Sequence, residues 1–258
     1  MPPASPDGAT DAPARPSLRD LHMQVDKISD KWEAYFDRYS QKLECLRDSP
    51  ISMLEIGVQN GGSLEVWSRY FAGAQAIVGC DIDARCADLR YDDERVKVVV
   101  GDAGRKETQQ QIAAVCPEFD LVIDDGSHIA RHVLAAFALY FPMLKPGGLY
   151  VVEDTHALYS PRFGGGLDSP GNAYGFFKAL ADIVNLAHWH GPMSVERVLE
   201  FLAAHTGGQA VPESVALGWV EGVEFRNSML TIYKAKNAGH AKLGQRLICG
   251  TEKLAGPW

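Results

Sequence analysis

The sequence is poor in cysteine, has no surplus of positive charge and contains no apolar run long enough to span a membrane. Its five cysteines are odd in number and none forms a CxxC pair, which argues against a disulfide framework or a zinc site and predicts reduced thiols in a cytoplasmic protein. Lys and Arg number 25 against 33 Asp and Glu, so the net charge of -8 offers nucleic acid no broad cationic surface. The longest strongly apolar run, Val133–Leu144, contains a proline and is shorter than the roughly 18 to 20 residues that cross a bilayer. We therefore expect no nucleic acid partner and no membrane insertion.

The two ends of the chain differ in pattern from its middle. Residues 1–17 hold five prolines among small polar residues, without the basic-then-apolar order of a signal peptide, and predict a disordered tail. From 18 to 48, apolar residues recur at three- and four-residue spacing, which predicts two helices. Ser29 and Asp30 are expected to break this segment and to cap its second helix. Residues 236–258 are predicted to be a C-terminal tail.

Between these ends, short apolar runs finish in acidic residues or glycine and alternate with stretches of helix length. This alternation is typical of a doubly wound, Rossmann-like α/β domain with a mostly parallel sheet, here expected over residues 49–235. Two later runs, 215–219 and 223–234, predict closing strands, the last pair antiparallel. The five parallel strands are predicted at Ser52–Gly57, Ala76–Asp81, Val96–Asp102, Phe119–Asp125 and Gly148–Asp154.

The loop after the first predicted strand lacks the GxGxxG fingerprint of a dinucleotide site. Its acidic residue, Glu55, would repel a pyrophosphate but attract an ammonium or sulfonium group, and S-adenosylmethionine carries both. Gly57 and Gly61 would let the backbone approach this cofactor, while Asp81 would bind its ribose and Asp102 its adenine amino group. The alternative is a tight turn without chemical role. The predicted cofactor contacts are Glu55, Gly57, Gly61, Ser63, Asp81, Asp102 and Asp124, the last of which alternatively orients its loop.

The fourth and fifth predicted strands end in three carboxylates, Asp125, Glu153 and Asp154. Adjacent strands lie roughly 4.8 Å apart, so these acids should converge and repel one another unless a cation is bound. No cationic cluster occurs in the two motifs, and hard oxygen ligands suit Mg²⁺ or another divalent cation. The sequence predicts that the three acids bind this metal. Alternatively, they cap helices or face water.

His128 follows Asp125 by three residues and is predicted to lie in the same crevice as a general base. An imidazole titrates near neutral pH and can accept a proton from a hydroxyl group. His132 and His156 are weaker candidates for this role.

Two further segments are predicted to border the crevice. Trp32, Tyr35 and Tyr39 recur at helical spacing and are expected mainly in the core, or alternatively over the crevice. The glycine run Gly164–Gly166 suits either a mobile lid over substrate or an inert loop.

Several of these motifs resemble one family over about residues 29–234. It comprises metal-dependent class I methyltransferases that methylate sugar hydroxyls of macrolides and glycolipids; the cephalosporin hydroxylase family has similar motifs. The most specific match is Ile123-Asp-Asp-Gly-Ser-His128 with its downstream Glu153-Asp154, whereas Thr155–Ser160 departs from the family's usual aromatic run. The other matching segments are Ser29–Trp32, Tyr35–Tyr39, Leu54–Val58, Gly61–Leu64, Trp67 and Lys145–Gly148.

The resemblance implies transfer of a methyl group from S-adenosylmethionine to a small glycosylated acceptor, in an enzyme that forms homo-oligomers. A catechol or another diol would satisfy the same chelation of a metal ion. A hydroxylase-like oxygenase role is the rival from another class, but no facial triad of two histidines and one carboxylate is evident at the matching positions. A binding module without chemistry is the remaining alternative.

Overall fold

The predicted apolar runs form the strands of one seven-stranded sheet in the computed structural model, which describes residues 15–167, 169, 172–239 and 243–251. The strand order is β3-β2-β1-β4-β5-β7-β6; β1 to β5 are parallel, and β7 pairs antiparallel with both β5 and β6. The predicted fold class is confirmed. The strands are β1 Ser52–Ile56, β2 Ala76–Asp81, β3 Val96–Val100, β4 Phe119–Asp124, β5 Leu144–Val152, β6 Val220–Arg226 and β7 Met229–Lys234.

Helices cover both faces of the sheet. Met53 belongs to an apolar cluster with residues of the N-terminal helices and α3, whereas its neighbour Leu54 belongs to a second cluster with residues of α4 to α8. Side chains of one strand therefore alternate between two cores, as expected for a sheet buried on both faces. The helices are α1 Leu18–His22, α2 Glu33–Leu43, α3 Gly62–Tyr70, α4 Lys106–Val115, α5 Ala130–Tyr140, α6 Ala173–Val184, α7 Val195–Ala203 and α8 Glu213–Ala216. Among the described residues, none of these helices is long and apolar enough to cross a membrane.

The N-terminal helices are shorter than the apolar spacing predicts. Helix α1 ends at His22, and α2 begins at Glu33 after Trp32, so Ser29 does not cap it. The connecting residues are instead held by another part of the chain: Glu65 of α3 accepts hydrogen bonds from the backbone of Asp26 and Lys27. Tertiary contacts thus outweigh the helical period here.

Two other boundaries differ from the sequence predictions. The run 215–219 is not a strand, since α8 ends within it, and the run 223–234 divides into a hairpin at Asn227 and Ser228. Most of the predicted N-terminal tail lies outside the described residues, but Ser17 caps α1. The predicted C-terminal tail lies partly outside them, and so does the loop around Gly164–Gly166, whose role as a lid remains a prediction.

Candidate active site

A cavity of about 520 Å³ opens at the carboxyl ends of the parallel strands. The strand order reverses between β1 and β4, and open α/β sheets bind ligands at such a switch point. Helices line one side of the cavity and the segment before α2 lines another. The predicted site residues on its wall are Gly57, Ser63, Asp81, Asp102, Asp124, Asp125, His128 and Asp154.

The loop after β1 can follow its path only because Gly57 has no side chain. Its φ is +94°, and an added Cβ would lie 2.2 Å from the carbonyl oxygen of Asp125. Asp81, at the end of β2, accepts hydrogen bonds of 2.8 Å from the backbone N–H groups of Val58 and Gln59. The acid predicted to bind ribose therefore also fixes the glycine loop. Gly61, at φ +87°, is the N-cap residue of α3 but is not on the cavity wall.

Glu55 lies behind the wall of the cavity rather than on it. Its carboxylate is fully buried and accepts hydrogen bonds from the Ser63 hydroxyl at 2.6 Å and the Trp67 indole at 3.1 Å. Burial raises the pKa of Glu55. Its position supports the loop through Ser63 and departs from the expected direct cofactor contact.

Two further acids complete the wall. Asp102 is half exposed, and its carboxylate accepts a 2.9 Å hydrogen bond from the backbone of Gly104. Asp124 is 4% exposed, and its Oδ1 accepts a hydrogen bond from the backbone N–H of Gly126. Burial raises the pKa of Asp124 to about 7, and the nearby Tyr150 hydroxyl opposes this shift.

Asp125, His128 and Asp154 form a group whose potential ligand atoms lie within 4.8 Å of one another. Their side chains are between a fifth and a quarter exposed, and His128 Nε2 is 3.7 Å from Asp154 Oδ2. His128 and Asp154 both adopt positive φ, +57° and +51°, which non-glycine residues seldom do and which occurs often at functional sites. The two carboxylates, with room for water or substrate beside them, fit a divalent cation, and the His128 imidazole lies next to that position.

Glu153, the third predicted metal ligand, is not in this group. It is 2% exposed, and Tyr39 donates a 2.5 Å hydrogen bond to its Oε1. The Lys31 Nζ lies 3.0 Å from both of its oxygens. Burial raises the pKa of Glu153, although Lys31 opposes this shift. Both oxygens therefore already have partners from the N-terminal segment.

Lys31 is a site residue that the sequence pattern does not indicate, because it lies outside the two acidic motifs. Its Nζ lies 2.5 Å from Asp125 Oδ2 and 3.7 Å from Glu55 Oε1, and its side chain is 7% exposed. Burial alone would lower the pKa of Lys31, but the surrounding carboxylates, Glu153 first, outweigh it and the pKa is well above its ordinary value. The available signal was its place in the family-like segment Ser29–Trp32.

Trp32 and Tyr35 also reach the site from this segment. The Trp32 indole donates to Asp154 Oδ1 at 3.1 Å, and the Tyr35 hydroxyl lies 2.6 Å from the same oxygen. Tyr35 and Tyr39 are buried, whereas Trp32 is 60% exposed. The two tyrosines are therefore in the core, as expected, and their hydroxyl groups also contact Asp154 and Glu153.

The two weaker histidine candidates differ in position. His132 is on the cavity wall, and its Nδ1 is 2.8 Å from the Ser127 hydroxyl. Burial lowers the pKa of His132. His156 is not on the wall, and its Nδ1 is 2.5 Å from the Ser228 hydroxyl.

This arrangement agrees with comparisons to known proteins. Residues 54–155 match the family model of a methyltransferase domain. The matched residues run from β1 to just beyond Asp154 and so include the cavity's strand ends and the acidic group.

Curated relatives of this chain are named as O-methyltransferases. The chain is 34% identical over 227 residues to the 8-demethyl-8-alpha-L-rhamnosyl tetracenomycin-C 2'-O-methyltransferase of Streptomyces olivaceus. The aligned part covers 84% of this chain and 55% of that protein. It is 36% identical to the mycinamicin VI 2''-O-methyltransferase of Micromonospora griseorubida, over 69% of this chain and 46% of that protein. The chain spans about half the length of these relatives. The predicted resemblance to sugar O-methyltransferases is confirmed.

A solved structure with the same fold is the MycE methyltransferase from the mycinamycin biosynthetic pathway in complex with Mg, SAH and mycinamycin VI. It superposes with a TM-score of 0.69 at 29% identity, over 86% of this chain and 54% of that one. A second structure, with Mg and SAH, has the same TM-score at 27% identity and covers 90% of this chain and 58% of that one.

Proposed function

We propose that this chain is an S-adenosylmethionine-dependent and divalent-metal-dependent O-methyltransferase that acts on a sugar hydroxyl of a natural product or glycolipid. The observation that carries the proposal is that one cavity joins the glycine loop and acids of β1 to β3 to the group Asp125, His128 and Asp154. A cofactor at one end would then lie next to an acceptor at the other. The relatives named for sugar methylation, and the structural neighbour with Mg and SAH, support the same reading.

The cofactor end consists of acids and of backbone that can approach closely. Asp81 would accept a hydrogen bond from a ribose hydroxyl with its one remaining lone pair, and Asp102 would accept one from the adenine amino group. Asp124, on the same wall, would accept a hydrogen bond from a cationic group of the cofactor. Gly57 and Gly61 shape the loop, and Ser63 and Glu55 support it from behind.

At the other end, Asp125 and Asp154 would hold a divalent cation, with Glu153 joining them if Lys31 leaves its carboxylate. When bound, the cation would orient two neighbouring acceptor oxygens and lower the pKa of the reacting hydroxyl. His128 would then accept the hydroxyl proton as the oxygen takes the methyl group. Its position 3.7 Å from Asp154 lets that carboxylate stabilise the imidazolium.

The N-terminal segment would cover this site, as the contacts of Lys31, Trp32 and Tyr35 suggest. In this proposal residues 49–235 form the methyltransferase domain and residues 18–48 its cover. Homo-oligomer formation and a cytoplasmic location also remain part of the proposal. The described cysteines form no disulfide bonds, which agrees with a cytoplasmic location.

Radiolabelled cofactor and a matched acceptor panel test the function. We expect label to enter a rhamnosylated or other deoxysugar-bearing natural product with a vicinal diol, and not the same compound with that diol blocked. A catechol belongs in the panel because it chelates in the same way. Transfer only to the catechol would reject the sugar assignment, and no transfer to any diol would reject the reaction. Consumption of oxygen with hydroxylated product would favour the hydroxylase alternative.

A further inference from the structure

The ammonium group of Lys31 lies where a cation is needed between the acidic residues. It is 2.5 Å from Asp125 Oδ2 and 3.0 Å from both oxygens of Glu153. Taking into account the proposed function, on which this step rests, we infer that Lys31 and the divalent metal ion compete for the same carboxylate oxygens. Metal entry then requires the Lys31 ammonium to leave Asp125.

Charge supports competition rather than coexistence. One ammonium faces three carboxylates, those of Glu55, Asp125 and Glu153, of which two are almost completely buried. A divalent cation bound to Asp125 would lie close to the Lys31 ammonium, which is 2.5 Å from Asp125 Oδ2, and the two positive charges would repel each other. Without metal, the same ammonium prevents the repulsion among the acids that the sequence analysis expected a metal to relieve.

The structure also offers the ammonium a place to move. Lys31 belongs to the cavity wall, so rotation about its side-chain bonds can carry Nζ from the acids into the open volume. The backbone of Lys31 can stay in place during this movement, because the chain is fixed on both sides of this residue. Gly62 N–H donates to the carbonyl of Ile28, and α2 begins at Glu33. The exchange is therefore a side-chain movement within a fixed segment.

Asp125 is the carboxylate that both the Lys31 ammonium and the metal ion would bind, whichever other residues complete the metal site. If Lys31 leaves, Glu153 loses its charged partner and, among the residues that the structure describes, keeps the hydrogen bond from Tyr39. Its carboxylate then becomes available to the metal. Competition thus explains how Glu153 can be held by Lys31 in this structure and still be a candidate ligand.

Titration calorimetry with Mg²⁺ tests this inference on the full chain, comparing wild type with Lys31→Met. The variant keeps the aliphatic stem and removes the charge, so we expect Mg²⁺ to bind about tenfold more tightly or better. Lys145→Met is the matched control: it breaks the 2.7 Å ion pair with Asp120, outside the cavity wall, and should bind Mg²⁺ like wild type. Equal or weaker binding by Lys31→Met would overturn the inference and leave the metal role intact. If none of the three proteins binds Mg²⁺, the proposed function is contradicted as well.

If Lys31→Met does not fold, amine labelling of wild type decides. Reductive methylation, read by mass spectrometry, should modify Lys31 several-fold faster with Mg²⁺ than without it, because the displaced ammonium leaves its buried position. Lys145 should react at the same rate in both conditions. An unchanged Lys31 rate under saturating Mg²⁺ would overturn the competition.

Discussion

The two ends of the cavity are assembled from very different distances along the chain. At the cofactor end, Asp81 binds the backbone of Val58 and Gln59, and the partners are 22 or 23 residues apart. At the metal end, Lys31 contacts Glu153 and Tyr35 contacts Asp154, across 122 and 119 residues. The first end follows from local βα units, whereas the second needs the N-terminal segment to pack over strands much later in the chain.

This difference predicts separable effects on turnover and on cofactor binding. Changes at the metal end should lower the rate with little effect on cofactor affinity. Changes at the cofactor end should weaken cofactor affinity with little effect on the rate of methyl transfer.

Among the histidine, cofactor-end and N-terminal variants, His128→Ala should have the largest effect. Loss of a general base lowers the rate by about 10² to 10⁴, while affinity for S-adenosylhomocysteine should remain that of wild type. Single-turnover methylation and calorimetry measure the two quantities. His132→Ala, the neighbouring histidine on the same wall, is the comparison variant and should retain most of the rate. If His132→Ala shows the large loss and His128→Ala does not, the base has been assigned to the wrong histidine.

Asp81→Ala should have a smaller effect, at the other end. It removes both the predicted ribose acceptor and the anchor of the Val58 and Gln59 N–H groups, so cofactor affinity should weaken by about 1 to 3 kcal/mol. Calorimetry with S-adenosylhomocysteine checks this, and Mg²⁺ affinity should not change. Asp83→Ala, two residues along and outside the cavity wall, serves as the control. Equal affinity in folded Asp81→Ala would remove Asp81 from the cofactor site.

The smallest effect concerns how the N-terminal segment is held. Lys42 of α2 donates to Glu224 of β6, which also accepts from Tyr233 and Arg226 at 2.6 Å. Burial by itself would raise the pKa of Glu224, but these hydrogen bonds outweigh it and lower the pKa to about 2. The stabilisation is therefore present above about pH 4.5 and is lost as the pH falls toward 2.

We expect Glu224→Gln to lower Tm at pH 7 by about 2 to 4 °C, consistent with roughly 1 kcal/mol in a domain of this size, and by less near pH 3. Glu221→Gln, exposed on the same strand, should leave Tm unchanged. Calorimetric scans at the two pH values provide the measurement. A Tm loss that grows toward acid pH would contradict the assigned charge on Glu224.

The same contrast explains what the sequence could predict. Asp81, Asp102 and Asp125 all lie on the cavity wall because the carboxyl ends of parallel strands meet at one edge, so the strand pattern alone predicts that they come together. The hairpin turn at Asn227 and Ser228 was missed because β6 and β7 follow each other with only these two residues between them and read as one run.

Lys31 could not be predicted in the same way. It lies on a stretch whose helical spacing is overridden by contacts with Glu65, and its acidic partners are distant in sequence. Periodicity describes one element at a time and does not report which loop covers which strand end. The missing cation at the acids was therefore inferred to be a metal alone, whereas the structure adds an ammonium group.

The most direct test of the central claim is the rate of methyl transfer after chelation of divalent ions, measured with S-adenosylhomocysteine affinity in the same samples. We predict that EDTA treatment abolishes transfer, that Mg²⁺ restores it, and that cofactor affinity largely survives, because Asp81 and the glycine loop lie at the other end of the cavity. Asp125→Asn should copy the chelated state and resist restoration. Methylation by metal-free enzyme at the original rate would contradict the account and leave Asp125 and Asp154 with a purely electrostatic or structural role.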